Sequence, residues 1–362
     1  MSQFERPNIA AMQGYSSGEQ PLEQQTIKLN TNENPFPASP KVQAALMEFA
    51  TADLRVYPQP TADKLRDAIA AQHGLSRDHV LITHAGDEAL RLAITTFVEP
   101  GGTLGTTDPS YSLYPVLAKI QDANIHALAL EEDWSIPKNF SANMREHNAQ
   151  LTCIVNPHAP SGHLTPLANL ETIAQNISGV LLIDEAYVDF IDPESTYSTS
   201  STKALINARE NVLVLRTFSK GYSLAGLRLG YLLGDPQLIK PMLEKTRDSY
   251  NVDMISQALG LAAITDQDYA AETWRQVREQ RQVLQRALNT MGFTSPASEA
   301  NFLLATTPDE IDAEGLYEAL KAKGILVRYF PTQRLKDKLR ITVGTVEQNE
   351  KLISTIRKLI TR

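Results

Sequence analysis

The chain has 362 residues, of which 42% are hydrophobic and 21% charged, and a formal net charge of −8. Its length exceeds the roughly 250 to 300 residues at which single cores stop growing, so two joined domains are expected, and the acidic balance without clustered Lys and Arg excludes a phosphate-tracking nucleic-acid surface. No run of about 18 apolar residues offers a membrane span, and Cys153, the one cysteine, excludes an intrachain disulfide or multi-cysteine metal site, so a reducing, cytoplasmic setting is expected.

Residues 1–35, rich in Gly, Pro, Asn and Gln and lacking periodicity, read as an N-terminal arm with functional contacts. The stretch Met1–Gly14 carries Glu5, Arg6 and Asn8 and no apolar run, so no targeting segment is expected there. Thr61 is a candidate helix cap ahead of Leu65, Ala68 and Ile69, which share a face, and Gly74 stands where such a helix ends. After a short strand, Val80–Thr83, a second helix starts near Asp87, with Leu90, Ala93, Ile94 and Phe97 at helical spacing and Pro100, Gly101 and Gly102 as its stop. Further β-rich runs follow at Leu151–Val155, Val180–Ile183, Val212–Leu215 and Leu229–Leu233, and several of these runs are apolar throughout, as strands covered on both faces are. Their alternation with helical stretches predicts a mostly parallel α/β sheet, which takes ligands at its carboxyl-terminal edge. Beyond about Thr246 a polar-faced helical stretch runs to Met291, followed by strands over Asn301–Ala305, Ile325–Phe330 and Leu339–Val343. The division expected is an arm over 1–35, a large domain over 36–245 and a small α+β domain over 246–362.

Three strand exits carry chemistry. Lys220, in Arg216-Thr-Phe-Ser-Lys220-Gly-Tyr-Ser, follows a buried strand and precedes a small-residue turn, a setting that desolvates an amine. Desolvation disfavours the ammonium form, and a neutral amine attacks carbonyls. Asp184 ends an apolar strand where a carboxylate can pair a cationic ring nitrogen, and Tyr187 adds a phenol nearby. Asn156 places an amide beside a turn punctuated by Pro157, Pro160 and Gly162. Taken singly, Lys220 also fits a solvated loop lysine, Asp184 a solvated strand end and Asn156 a plain turn.

Together these residues resemble the fold-type I aminotransferases, and within them the histidinol-phosphate aminotransferases. In that family an asparagine, the ring-nitrogen aspartate, the Schiff-base lysine and a phosphate-binding arginine are spaced as Asn156, Asp184, Lys220 and Arg228 are here, 28, 36 and 8 residues apart. The resemblance extends to Leu29–Pro35, Asp108–Tyr111, Tyr250–Val252, Asn301-Phe302, Ile325–Phe330 and Leu339–Thr345, and so spans nearly the whole chain. It implies pyridoxal 5′-phosphate as cofactor, a mostly parallel seven-stranded sheet with a smaller α+β domain, and a homodimer with shared active sites. An amino donor and a 2-oxo acid acceptor are the implied small-molecule partners, with no nucleic acid and no membrane.

By the same resemblance, Ala85, Gly86 and Asp87 form a helix-start cup for the cofactor phosphate, completed by Ser219 and Arg228. Tyr57 reaches that phosphate from the neighbouring subunit, and Tyr111 stacks on the cofactor ring. Asp184 keeps the pyridine protonated, while Tyr187 and Asn156 serve its ring oxygen. Arg340 grips a substrate carboxylate, and Arg328 with Tyr15 takes the distal anion, with Asn32 also on the substrate side. Lys220, once displaced, moves a proton between the substrate α-carbon and the cofactor, with Asp184 and Tyr187 as its catalytic companions.

Two departures stand out. The family turn Asn-Pro-Asn-Asn-Pro-Thr-Gly is here Asn156-Pro157-His158-Ala159-Pro160-Ser161-Gly162, and His84 has no counterpart role, so both histidines read as non-catalytic. No required metal is expected, because no His and carboxylate cluster has ligand spacing. Same-fold aminotransferases of aromatic amino acids, pyridoxal-phosphate decarboxylases and non-catalytic cofactor-binding regulators share Lys220 and Asp184. The regulators normally add a DNA-reading domain, for which no basic helix-turn-helix segment is present.

Overall fold

The computed structural model describes residues 4–21, 25–195, 197 and 199–361. Of the expected arm, residues 1–3 and 22–24 lie outside the described residues. The strands are β1 (Ile27–Lys28), β2 (Val80–Thr83), β3 (Thr103–Asp108), β4 (Asn124–Ala129), β5 (Ala149–Val155), β6 (Val180–Asp184), β7 (Val212–Thr217), β8 (Gly230–Gly234), β9 (Phe302–Thr306), β10 (Ile325–Leu326), β11 (Arg328–Tyr329) and β12 (Lys338–Thr342).

Seven strands form one sheet in the order β2-β8-β7-β6-β5-β3-β4, in which β8 alone runs antiparallel to its neighbours. The continuous apolar runs follow from burial on both faces. Leu181, Ile183, Val212 and Val214 enter one core, whereas Leu182, Leu213 and Leu215 enter the other. Two further strands lacked that signature. β3 is rich in threonine, and β4 is an edge strand with alternating exposure. β3 is set by pairing with β5 and β4 by pairing with β3, rather than by their own composition.

The helix expected behind Thr61 covers Asp63–His73 and ends on Gly74 in the left-handed region, φ 61°. Its start differs from expectation. Ala62 occupies the cap position, and Gln59 Oε1 accepts the N–H groups of Thr61 at 2.9 Å and Asp63 at 3.0 Å, so the capping oxygen lies further upstream. The long helical stretch divides into Met254–Ile264 and Gln267–Asn289, separated by Asp266, whose carboxylate is held by Ser39 and Lys41.

The expected strand Ile325–Phe330 also divides. β10 pairs in parallel with β1 of the arm, while β11 joins β12 and β9 in an antiparallel three-stranded sheet. Leu29 of the arm is buried in the same core as Leu303, Leu316, Ile341 and Leu352. The arm therefore carries a strand, too short to leave a pattern in the sequence.

Gly230 shows how closely sheet and helix approach at the carboxyl edge. A Cβ there would lie 2.9 Å from Ala85 C, 3.0 Å from Arg216 O and 3.1 Å from Gly86 N, all backbone atoms. Gly230→Ala is expected to lower unfolding free energy by about 1–3 kcal/mol through overpacking, as measured by denaturant titration. A variant as stable as the parent would contradict this contact.

Candidate active site

Strands β6 and β7 are parallel neighbours, with Asp184 opposite Leu215 in register, so their carboxyl ends deliver Asp184 and the Lys220 turn to one edge. Asp184 is only 5% exposed. Its carboxylate accepts from the Ala186 N–H and the Tyr114 hydroxyl, each at 3.1 Å. Burial pushes its pKa up to about 6, because these two neutral donors only partly replace lost water.

Lys220 is half-buried, and its ammonium nitrogen donates to the Thr31 carbonyl of the arm at 2.7 Å. Desolvation brings its pKa down to about 8; Glu33 opposes the shift, while Arg340, Lys28 and Arg228 add to it. The turn packs tightly against Asp189: a Cβ on Gly221 would lie 2.1 Å from Asp189 Oδ2.

Around this pair stand aromatic and amide groups. Tyr111 packs edge-on against Tyr114 at 5.6 Å and Tyr15 at 6.0 Å. The Tyr187 hydroxyl accepts from Asn32 Nδ2 at 3.0 Å, and its ring meets Phe302 edge-on at 5.0 Å. Asn32 is fixed in turn, since its backbone carbonyl accepts from Asn301 Nδ2 at 2.9 Å and its Oδ1 from the Thr342 hydroxyl at 3.1 Å. Asn156 is fully buried and engaged with its own loop: Oδ1 accepts from Thr165 N–H at 2.8 Å and Nδ2 donates to Thr165 O at 3.2 Å. The second N–H of the carboxamide donates to the Tyr197 hydroxyl oxygen.

A third cluster lies at the start of the helix Ala85–Phe97. Ala85 has φ 62°, and the N–H groups of the first turn lack intrahelical partners. Arg228 reaches Asp87 of that turn at 3.2 Å, and Ser219, buried, donates its N–H to Thr217 Oγ1 at 3.1 Å. Tyr57 is 78% exposed and stacks on Tyr250 at 4.5 Å, so it is not a core residue. His84 is exposed beside this turn, with its backbone N–H bonded to Glu88.

The small sheet supplies two guanidinium groups. Arg340 and Arg328 are directly opposite in register on β12 and β11. Arg340 lies 5.3 Å from the Phe302 ring centre and 5.4 Å from Phe330, donates to Asn30 O at 3.1 Å, and keeps a buried Nε without a partner. Arg328 lies 5.3 Å from Phe330 and donates to Ser17 O of the arm at 3.4 Å.

These donors suit pyridoxal phosphate. A buried carboxyl with only neutral donors can take a pyridinium proton, a desolvated amine can take an aldehyde, and a helix start flanked by an arginine can take a phosphate. Among the described residues no group of three or more His, Cys, Asp or Glu could hold a metal ion.

Sequence reasoning missed Tyr114 and the Thr31 carbonyl. Tyr114 falls on an apolar helical face and carries no separate signal, and a backbone acceptor carries none at all. It also gave no role to Arg216, which bonds Glu185 at 2.8 Å and Asp189 at 2.9 Å in a buried ion cluster under the Lys220 turn. The adjacency of Glu185 to Asp184 was the available clue.

Residues 24–356 match the family described as aminotransferase class I and II. The chain is 42% identical over 361 residues to histidinol-phosphate aminotransferase 1 of Nostoc sp., covering 99% of each chain. It is 37% identical to histidinol-phosphate aminotransferase of Geobacter sulfurreducens, covering 98% of this chain and 99% of that one. Among solved structures, histidinol-phosphate aminotransferase of Sinorhizobium meliloti in complex with pyridoxal-5′-phosphate matches with TM-score 0.89 at 24% identity over 99% of each chain, a likeness of fold.

The depressed pKa predicts a measurable reactivity. In the chain freed of cofactor, pulse labelling with an amine-acylating reagent should modify Lys220 with a midpoint near pH 8. The neutral amine gains as pH rises through that value. A midpoint near the ordinary lysine value of about 10.4 would show that the amine is solvated.

Proposed function

The chain belongs to the class I and II aminotransferases, and on that premise we propose that it moves the amino group between L-histidinol phosphate and 2-oxoglutarate with pyridoxal phosphate as cofactor, yielding imidazole acetol phosphate and L-glutamate. The observation that carries the anionic substrates is the cross-strand pair Arg328 and Arg340. Like charges directly opposite on neighbouring strands repel, and the unpartnered Arg340 Nε lacks an acceptor. A phosphate or carboxylate between the two forks answers both, and two forks accommodate both anionic ends of glutamate. The full-length relatives named for histidinol phosphate support the choice of that donor.

When bound, pyridoxal phosphate supplies an aldehyde for amines and a ring that accepts the electron pair left at the substrate α-carbon. Lys220 Nζ is the amine that would hold the aldehyde. Displaced by incoming substrate, it takes the α-proton as a neutral base and returns it as an acid, a role for which a pKa near 8 is suited. Asp184 holds a proton at the pyridine nitrogen, since its buried carboxylate gains a cationic partner there. Tyr187, fixed by Asn32, serves the ring oxygen, joined by Asn156 once the N–H that it gives to the Tyr197 hydroxyl turns to the cofactor, and Tyr111 covers the ring against water. Ala85, Gly86, Asp87, Ser219 and Arg228 take the phosphate.

A homodimer belongs to the same reading. Tyr57 stacks on Tyr250 and follows exposed Leu54 and Val56 in the chain, an exposed apolar stretch suited to a second copy that would receive Tyr57 at its phosphate. A cytoplasmic setting is part of the proposal, in keeping with one unpaired cysteine buried in β5. Among the described residues no helix is long and apolar enough to cross a membrane.

Lys220→Ala should abolish transamination together with the visible absorbance shift of bound cofactor; retained turnover would contradict the role of the amine. Asp184→Asn should bind cofactor yet lower kcat by about 100-fold, as loss of a buried electrostatic partner does, and a parental rate would count against it. Compared side by side, kcat/KM for histidinol phosphate should exceed that for phenylalanine or tyrosine by roughly 100-fold, since a phosphate brings more charge and more acceptor oxygens to two guanidinium forks than a single carboxylate does. Parity would remove the substrate assignment and leave the aminotransferase reading.

A further inference from the structure

The turn that departs from the family pattern also connects two parts of the site. The segment Asn156–Gly162 leaves β5, and the segment Pro109–Ser112 leaves its parallel neighbour β3. Asn156 stands on the first and Tyr111 on the second. His158 lies between them, 4% exposed. Its Nε2 is 2.9 Å from the Pro109 carbonyl, and its Nδ1 is 2.7 Å from the Ser161 hydroxyl.

These partners fix the ring's protonation. A carbonyl only accepts, so Nε2 carries the hydrogen and donates to Pro109. Nδ1 then accepts from the Ser161 hydroxyl, whose oxygen in turn accepts the His163 N–H at 3.2 Å. The backbone of His158 is tied as well, its N–H donating to His163 O and its carbonyl accepting from Gly162 N–H, both at 2.7 Å. On the far side Trp134 packs at 6.1 Å, itself covered by Arg334 at 4.3 Å.

We propose that His158 is a positioning residue: through its single bond to the Pro109 carbonyl, two residues before Tyr111, it sets the height of the Tyr111 ring over the cofactor. The proposal rests on the reading of Tyr111 as the ring that covers the cofactor. Tyr111 is otherwise bounded on its carboxyl side, where its carbonyl accepts from Tyr114 N–H at 3.1 Å. On the other side the His158 bond is the shorter of two ties, the second being the Thr106 hydroxyl to the Ser110 hydroxyl at 3.4 Å. The ring stays neutral near pH 7, because burial, with His163 and Arg334 nearby, pushes its pKa down to about 4 against the favourable Pro109 bond. No proton is transferred, so the role is geometric.

The test titrates pyridoxal phosphate into His158→Gln, His158→Asn and His158→Leu, each alone and in a Tyr111→Leu background. The readouts are cofactor dissociation constant, induced circular dichroism of bound cofactor, and Tm. A glutamine amide reaches the Nε2 position, whereas asparagine falls short of Pro109. His158→Asn and His158→Leu should therefore weaken cofactor binding roughly tenfold and reduce the dichroic band, while His158→Gln stays within about threefold. In the Tyr111→Leu background His158→Asn should add less than about twofold. The clamp is overturned if His158→Asn binds and reads like the parent, or if its effect is as large without the Tyr111 ring. Should His158→Leu fail to fold, the Asn and Gln pair decides the question. A parent chain that takes up no cofactor sinks the site reading and the clamp together, whereas normal uptake with a silent His158→Asn sinks the clamp alone.

Discussion

At the carboxyl edge of the large sheet, a half-buried amine and a buried carboxyl group stand close together in the fold, and neither makes a direct ion pair. Asp184 has a hydroxyl and an N–H for company, and Lys220 has a backbone carbonyl. Burial shifts each toward its neutral form, one up to about 6 and the other down to about 8. A site that brings the pKa values of a carboxyl and an amine toward neutral pH is suited to a ligand bringing both a cation and an electrophile. Near that pair stand Arg228 of the helix-start cluster and Arg340 of the small sheet, which act on Lys220, and Tyr114, which bonds Asp184 and packs on Tyr111.

The neighbouring buried charges behave in the opposite way. Arg216 bridges Glu185 and Asp189, and Glu185 also accepts from Tyr197 and Thr202, so this cluster is internally satisfied. Glu185 follows Asp184 directly in the chain, yet one is paired and the other is left for a ligand. The satisfied cluster anchors the backbone on which the unsatisfied pair is displayed, because Gly221 lies against Asp189 immediately after Lys220. Breaking such a cluster by removing one partner is costly, which suits it to fixing geometry rather than taking part in chemistry.

Much of this was legible in the sequence for identifiable reasons. Continuous apolar runs marked β5 to β8 because both faces are covered, and the strand exits then pointed to Asp184 and Lys220. β3 and β4 escaped because a threonine-rich strand and an edge strand take their identity from pairing. Thr31 acts through a backbone carbonyl and Tyr114 from a core-like helical face, so neither had a composition signal. The turn at His158 was visible as a departure, but its bond to Pro109 depends on the adjacency of β3 and β5, which only the fold reveals.

The central claim is that the amine of Lys220 is the group that captures the aldehyde of pyridoxal phosphate. Borohydride reduction of the chain with bound cofactor, followed by peptide mass mapping, tests this directly. A single reduced phosphopyridoxyl label on Lys220 is expected; a label on another lysine, or none, would overturn that assignment.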